Sequence, residues 1–335
     1  MLVAIVQFAI SALVIVVAGT FLSRFADEIA ERTGFGRLLV GSVLLAGATS
    51  LPELTVDISA VRGGLADIAF GDLMGSSLFN LLILAILDLS LRSQGRMLSR
   101  QAAGHALSGG VSAALTSVVA LCLLARELAA AGEVLGISYG IWLVLGGYLC
   151  GVRMVYYDQQ VSSAALKTGA QTESPVPTPS WRGPAIGFAA AAVVIVLAGP
   201  YLADAAGKIA DASRLGNTFV GTTLVAFSTS LPELVTSLAA LRLGAHDLAI
   251  GNVFGSNAFN MVLFAPLDLV HPGPLLAVVT SGHAVTGLAA ILATLIVILG
   301  QLYQVERRRR LIEPDALLVI AVVFGSLWVI YRLGT

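Results

Sequence analysis

Twice in 335 residues the chain repeats the run Thr-Ser-Leu-Pro-Glu, first at Thr49–Glu53 and again at Thr229–Glu233. Each run is followed, in the next apolar stretch, by Gly-Ser, two variable residues, Phe and Asn, at Gly75–Asn80 and Gly255–Asn260. These residues share an abundance of oxygen. A proline inside a helix has no N–H for the carbonyl four residues back, so Pro52 frees the carbonyl of Ala48 and Pro232 that of Ser228, and a kink is expected at each. Freed carbonyls are tolerated in a membrane where they line a cavity or meet a cation. Thr49, Ser50, Thr229 and Ser230 put hydroxyls on the same turns, and Glu53 and Glu233 add two negative charges. Ser76 and Asn80, four apart on one helix face, supply neutral oxygen, as do Ser256 and Asn260. The sum is an all-oxygen cage with two carboxylates, suited to hard cations such as Ca²⁺ or Na⁺ and poorly suited to zinc or copper.

The surrounding elements must be membrane helices. The chain is 57% hydrophobic and 12% charged, with a mean hydropathy of +0.91, far too apolar for an ordinary soluble domain. Net charge near zero offers no basic surface to nucleic acid. Ten runs are long enough to span hydrocarbon, at about 2–21, 38–61, 66–90, 102–125, 134–153, 184–203, 218–241, 246–270, 280–302 and 315–333. They lack the alternation of barrel strands, so an all-α integral membrane protein is expected. The first run has neither a basic segment before it nor a small-residue cleavage site after it, and reads as a retained span. Cys122 and Cys150 fall inside apolar runs and read as free thiols.

Loops after the odd-numbered spans carry 14 of the 19 Lys and Arg. The positive-inside rule makes that side cytoplasmic and leaves both termini extracytoplasmic. A polar segment with Pro175, Pro177 and Pro179 reads as a cytoplasmic linker over residues 158–182, too short for a folded domain.

The motif repetition extends well beyond the motifs. At an offset of 180, residues 41–90 and 221–270 are identical at 23 of 50 positions, so the chain is a duplicated half. An odd number of spans, five, separates the copies, so they cross the membrane in opposite directions. This is the inverted repeat of a secondary transporter, with substrate sites near the midplane between the halves. The halves are 1–157, with its motif at about 38–90, and 183–335, with its motif at about 218–270.

On these motifs the chain resembles the sodium/calcium exchanger branch of the cation/calcium exchanger superfamily, as a prokaryotic member. The resemblance implies the ten-helix exchanger fold and adds the backbone carbonyls of Ala46 and Ala226 to the side chains of Thr49, Ser50, Glu53, Ser76, Thr229, Ser230, Glu233 and Ser256 as cation ligands. Asn80 and Asn260 match its polar position four residues after the serine. Asn260 is also a departure, because some prokaryotic relatives and the potassium-dependent branch carry Asp there. Proton-coupled members usually place Glu in the helix after the kinked one, which neither Asn offers.

The expected function is secondary active exchange of Ca²⁺ for Na⁺ by alternating access, with proton-coupled divalent cation antiport as the alternative. A cation channel could use similar oxygens, but an empty anionic cage crosses a dry barrier poorly, which favours obligatory exchange. No enzymatic role and no cofactor are expected, the partners being the transported ions and the lipid bilayer. The protein is expected to work as a monomer in the cell inner membrane. Spans 1 and 6, with the matching pairs Ala18–Gly19 and Ala198–Gly199, are the expected moving elements. Asp57 and Asp72 are further membrane carboxylates whose counterparts are Ser237 and Asn252; Asp57 could extend the ion path, and Asp72 could instead be a packed group. Asp88 and Asp268 are expected to cap or brace helices. His105, His246, His271 and His283 show no ligand spacing and read as loop or helix-end residues.

Overall fold

The computed structural model describes residues 1–33, 47–90, 105–166, 180–242, 246–302 and 314–334. Long helices dominate because hydrocarbon cannot hydrogen-bond the backbone, which must therefore satisfy itself within each span. They are α1 (Leu2–Thr33), α2 (Leu51–Arg62), α3 (Ala66–Ser90), α4 (Ala106–Leu124), α5 (Tyr139–Leu166), α6 (Arg182–Ser213), α7 (Leu231–Arg242), α8 (His246–Val270), α9 (His283–Leu302) and α10 (Pro314–Gly334). A two-stranded hairpin pairs Glu133–Val134 with Ile137–Ser138 ahead of α5.

Eight helices among the described residues are long and apolar enough to cross a membrane, and a bent pair, Asn217–Thr229 with Leu231–Arg242, makes a ninth. The second expected span enters the described residues only at Gly47, so its first half lies outside them. Of the expected linker 158–182, residues 158–166 continue α5 as helix instead of loop, because its hydrogen-bonded ladder runs on past the apolar stretch, and 167–179 lie outside the described residues, as do the loop arginines Arg92, Arg96, Arg100 and Arg307–Arg310.

Burial separates a core from a shell. The apolar windows of α3 and α8 are 89% and 67% buried, against 28% and 17% for α1 and α6. Helices apolar all round are stable only when surrounded, and α3 and α8 pack on each other with α4, α5, α9 and α10 about them. Glycine allows the closest of these approaches. A methyl at Gly71 would sit 2.9 Å from the Thr222 amide nitrogen and one at Gly75 would sit 2.5 Å from the Thr222 carbonyl oxygen, so α3 lies backbone to backbone on the segment preceding α7.

Outside this core, α1 and α6 lie along one another. Gln7 Nε2 donates to the Tyr201 carbonyl at 3.0 Å and to Asp204 Oδ2 at 2.9 Å, joining the two helices at one end. Each then lies across the broken helix of the opposite half, α1 on α7 and α6 on α2. Crossing is close because Ala18–Gly19 and Ala198–Gly199 are small. An added Cβ at Gly19 would come 2.6 Å from Pro232 Cγ, and one at Gly199 would come 2.6 Å from Thr55 Cγ2.

Gly19→Val and Gly199→Val should therefore each cost about 1–3 kcal/mol by overpacking, lowering the thermal midpoint of the purified protein. An unchanged midpoint in both variants would contradict this packing.

Candidate cation site

Both motif helices break at the serine before the proline. Ser50 follows the helical residues 47–49 (φ −86°, ψ 8°) and α2 starts anew at Leu51 with Pro52 in its first turn. Ser230 does the same ahead of α7 (φ −83°, ψ 0°). In a first turn the missing proline N–H has no intrahelical partner to lose, so the feature is a helix restart with a bend of 41° in the second copy, and not a kink within a continuous helix. Ahead of the second break, Gly221–Val225 forms a π turn. Such an inserted residue is frequent at functional sites, and it sets the register of Ala226, whose carbonyl accepts the Ser230 N–H at 3.0 Å.

These breaks bring hydroxyls and amides from the two halves together. Thr49 Oγ1 and Ser256 Oγ share a hydrogen bond at 3.3 Å, and their mirror partners Thr229 Oγ1 and Ser76 Oγ share another at 3.3 Å. Ser50 Oγ donates to Asn260 Oδ1 at 3.2 Å. The mirror of that bond is not made. Asn80 Nδ2 turns instead to Asn257 Oδ1 at 2.9 Å, while Asn257 Nδ2 donates to the Ser77 carbonyl at 3.1 Å. Ser230 Oγ and Asn80 Oδ1 are left buried without hydrogen-bond partners.

The two acids stand within this ring. Glu53 and Glu233 are fully buried and lie within electrostatic reach of each other, with the Thr49 hydroxyl toward Glu233. All four of their carboxylate oxygens are buried with no partner in hydrogen-bond geometry among the described residues. Burying an unpaired charge costs several kcal/mol, so this set of oxygens calls for a positive species. The donors present (carboxylate, hydroxyl and amide oxygen) fit a hard cation. Among the described residues no three His, Cys, Asp or Glu converge as a metal cluster, in keeping with a cage built mostly of neutral oxygen.

Of the residues singled out from sequence, Thr49, Ser50, Glu53, Ser76, Asn80, Thr229, Ser230, Glu233, Ser256 and Asn260 are all buried in this region, as is Ala226; Ala46 lies outside the described residues. Asn257 and Ser77 complete the hydrogen-bonded ring and were not singled out, because one is Ser and the other Asn in the two copies and neither stood out as a repeated motif residue. Asp72 is also inside: its Oδ1 accepts from Thr229 Oγ1 at 2.8 Å and from Ser76 Oγ at 3.2 Å.

The remaining polar residues brace the scaffold. Asp268 accepts from Ser138 N and Oγ at 2.7 Å each and from Leu275 N at 2.6 Å, anchoring the hairpin and the loop after α8. His283, at the start of α9, is fully buried and its Nε2 lies 2.9 Å from Asp67 Oδ1, a partnership its sequence position did not announce. Cys122 and Cys150 are free.

The chain belongs to the sodium/calcium exchanger protein family, whose profile matches residues 3–157 and 183–334. It is therefore a membrane transporter of the cation/calcium exchanger superfamily rather than an enzyme. CaxA of Alkalimonas amylolytica, an antiporter by name, is 27% identical over 297 residues, covering 84% of this chain and 86% of CaxA. The inner membrane protein YrbG of Escherichia coli (strain K12) is 28% identical over 257 residues, 74% of each chain. A solved structure of the sodium-calcium exchanger NCX_Mj superposes over 98% of both chains with a TM-score of 0.60 at 21% identity, which shows the shared fold.

Glu53→Gln and Glu233→Gln keep the side-chain shape and remove one charge of the pair. Each should weaken equilibrium ⁴⁵Ca²⁺ binding by roughly a hundredfold or more, since removing one partner from a buried charged set costs on the order of 3–5 kcal/mol. Binding at wild-type affinity in either variant would contradict the site.

Proposed function

We propose that this protein exchanges Ca²⁺ for Na⁺ across the membrane by alternating access, with Glu53 and Glu233 as the charged ligands and Thr49, Ser50, Ser76, Asn80, Thr229, Ser230, Ser256, Asn260 and the carbonyls of Ala46 and Ala226 completing the cage. The observation that carries this reading is the set of four buried carboxylate oxygens, two from each half, that lack a partner in hydrogen-bond geometry among the described residues. Two carboxylates neutralise one Ca²⁺ or accept Na⁺ ions in its place. Emptied, the same cage would keep an uncompensated charge in a dry barrier at a cost of several kcal/mol. The loaded forms reorient and the empty form does not, which makes exchange obligatory.

In this mechanism α1 and α6 slide together over the breaks at Ser50 and Ser230. Their mutual packing and the Gln7–Asp204 link support motion as one body, and the glycine crossings at Pro232 and Thr55 give that body a smooth contact with the site helices. Residues 1–157 and 183–335 act as the two half-units, joined by the 158–182 linker. The cytoplasmic placement of the linker, extracytoplasmic termini, and a monomeric working unit complete the reading. The inner membrane is the proposed location, supported by the likeness to YrbG.

Sodium rather than potassium or proton coupling is favoured by Asn80 and Asn260, amides where a further acid would otherwise add charge or a titratable group. Proton coupling is the second reading, because a proton would also satisfy the orphaned carboxylate oxygens. Proteoliposomes separate the two. With ⁴⁵Ca²⁺ outside, an outward Na⁺ gradient alone should drive uptake and an outward H⁺ gradient alone (vesicle interior acid) should not; calcium that follows the pH gradient and ignores Na⁺ would reverse the assignment. Asn260→Asp should shift the Na⁺ or K⁺ dependence of that uptake, and an unaltered dependence would remove Asn260 from the cation path.

A further inference from the structure

Duplication makes each half a control for the other, and one pair of positions breaks the symmetry in charge. In the second half, Ser237 on α7 and Asn252 on α8 are both buried and bonded to each other, Asn252 Nδ2 donating to Ser237 Oγ at 3.4 Å. The counterparts in the first half are Asp57 on α2 and Asp72 on α3. These are also fully buried and also face each other. A neutral, mutually bonded pair on one side of the molecule is thus matched by two acids on the other.

The acids lie on a defined side of the cage. Asp57 is one turn beyond Glu53 toward the end of α2, and Asp72 is one turn before Ser76 toward the start of α3. Both therefore sit between the cage and the α2–α3 turn at Gly63–Leu65, on the face that the positive-inside rule turns outward. Asp72 is joined to the cage through Thr229 Oγ1 and Ser76 Oγ, both bonded to its Oδ1. Among the described residues no other side chain or backbone group meets its Oδ2 or either oxygen of Asp57, although both residues are fully buried; the two carboxyls reach only each other. Three carboxylate oxygens and two hydroxyls thus surround one small region. Packing alone does not require this, since the second half fills the same place with Ser and Asn.

We infer that Asp57 and Asp72, with Ser76 and Thr229, form an accessory site for a hard cation on the α2–α3 turn side of the cage, with no charged counterpart on the opposite side. Ser76 and Thr229 are shared with the cage, so an ion at the accessory site stands next to the transported one and on its path. Two carboxylates with hydroxyl oxygen suit Na⁺ or Ca²⁺ alike. The site is one-sided by construction, so ion entry from the α2–α3 face and from the opposite face differ in charge although the helices are related by symmetry. It also returns to the first half some of the negative charge that Asn260 leaves out of the second. The inference rests on the reading of the cage as a cation site.

The test imports the second half's own solution, Asp57→Ser with Asp72→Asn, a pair this fold already accommodates at the mirror position. Binding of ⁴⁵Ca²⁺ and, separately, of ²²Na⁺ is measured on the purified full chain with the cage disabled by Glu53→Gln and Glu233→Gln. The expected result is a weak residual site in one of the two arms, which identifies the ion, and its loss when the Ser/Asn pair is added. If the cage variant has lost tight binding but its residual binding is the same with or without the Ser/Asn pair, the acids hold a proton or only pack, and the inference is overturned. Undiminished binding in the cage variant that the Ser/Asn pair then removes would sink the cage and leave the acid pair as the site. Should the combined variant fail to fold, the half-saturating cation for flux on the α2–α3 face decides: a rise of about tenfold in Asp57→Ser/Asp72→Asn, or about 1.4 kcal/mol, supports the site, and no change overturns it.

Discussion

Two carboxylates held away from water, with no partner in hydrogen-bond geometry among the described residues, constrain everything else in this molecule. Hydrocarbon makes an unpaired charge costly by several kcal/mol, so Glu53 and Glu233 are tolerable only with a positive partner. That requirement explains the neighbours. Hydroxyls and amides that bond one another across the two halves, Thr49 to Ser256, Ser76 to Thr229 and Ser50 to Asn260, hold the ring in shape while keeping spare lone pairs for a guest. A ring of donors such as Lys or Arg would have satisfied the acids permanently and left nothing to transport.

The scaffold follows from the same constraint. Backbone oxygens are freed inside the membrane only where the helix is interrupted, and both interruptions fall at a serine followed by leucine and proline. Shielding those breaks from lipid falls to α1 and α6, which is why their crossings are made at glycine. The core helix α3 meets the Gly221–Val225 segment backbone on backbone at Gly71 and Gly75 and also packs on α8. Rigidity inside and small-residue contacts outside are what alternating access needs of a duplicated fold.

Much of this was legible in the chain because duplication doubles every signal. One Glu in an apolar run is ambiguous, whereas Glu53 and Glu233 in matching motifs 180 residues apart point to one candidate site, and an odd number of intervening spans gives the two copies opposite directions. Local physics beyond the motifs was harder to read. Proline placement announces a disturbance at Pro52 and Pro232, but whether the helix kinks or restarts depends on the tertiary partners that hold Ser50 and Ser230. The π turn at Gly221–Val225 has no sequence signature, since it answers to the contact of Thr222 with Gly71 and Gly75. Asn257 and Ser77 escaped notice because the halves differ there, and the bond between Asp67 and His283 joins residues 216 apart. Positions where the two copies diverge, Asp57 and Asp72 against Ser237 and Asn252, become informative only when the structure shows that each pair occupies the same relative place.

The most direct measurement is anomalous diffraction from crystals of the full chain soaked in Ca²⁺. The account predicts a peak between the halves, with oxygens of both Glu53 and Glu233 at about 2.3–2.6 Å, the ordinary Ca²⁺–oxygen distance. A well-occupied calcium that touches neither glutamate, or the two glutamates turned outward to lipid, would contradict it.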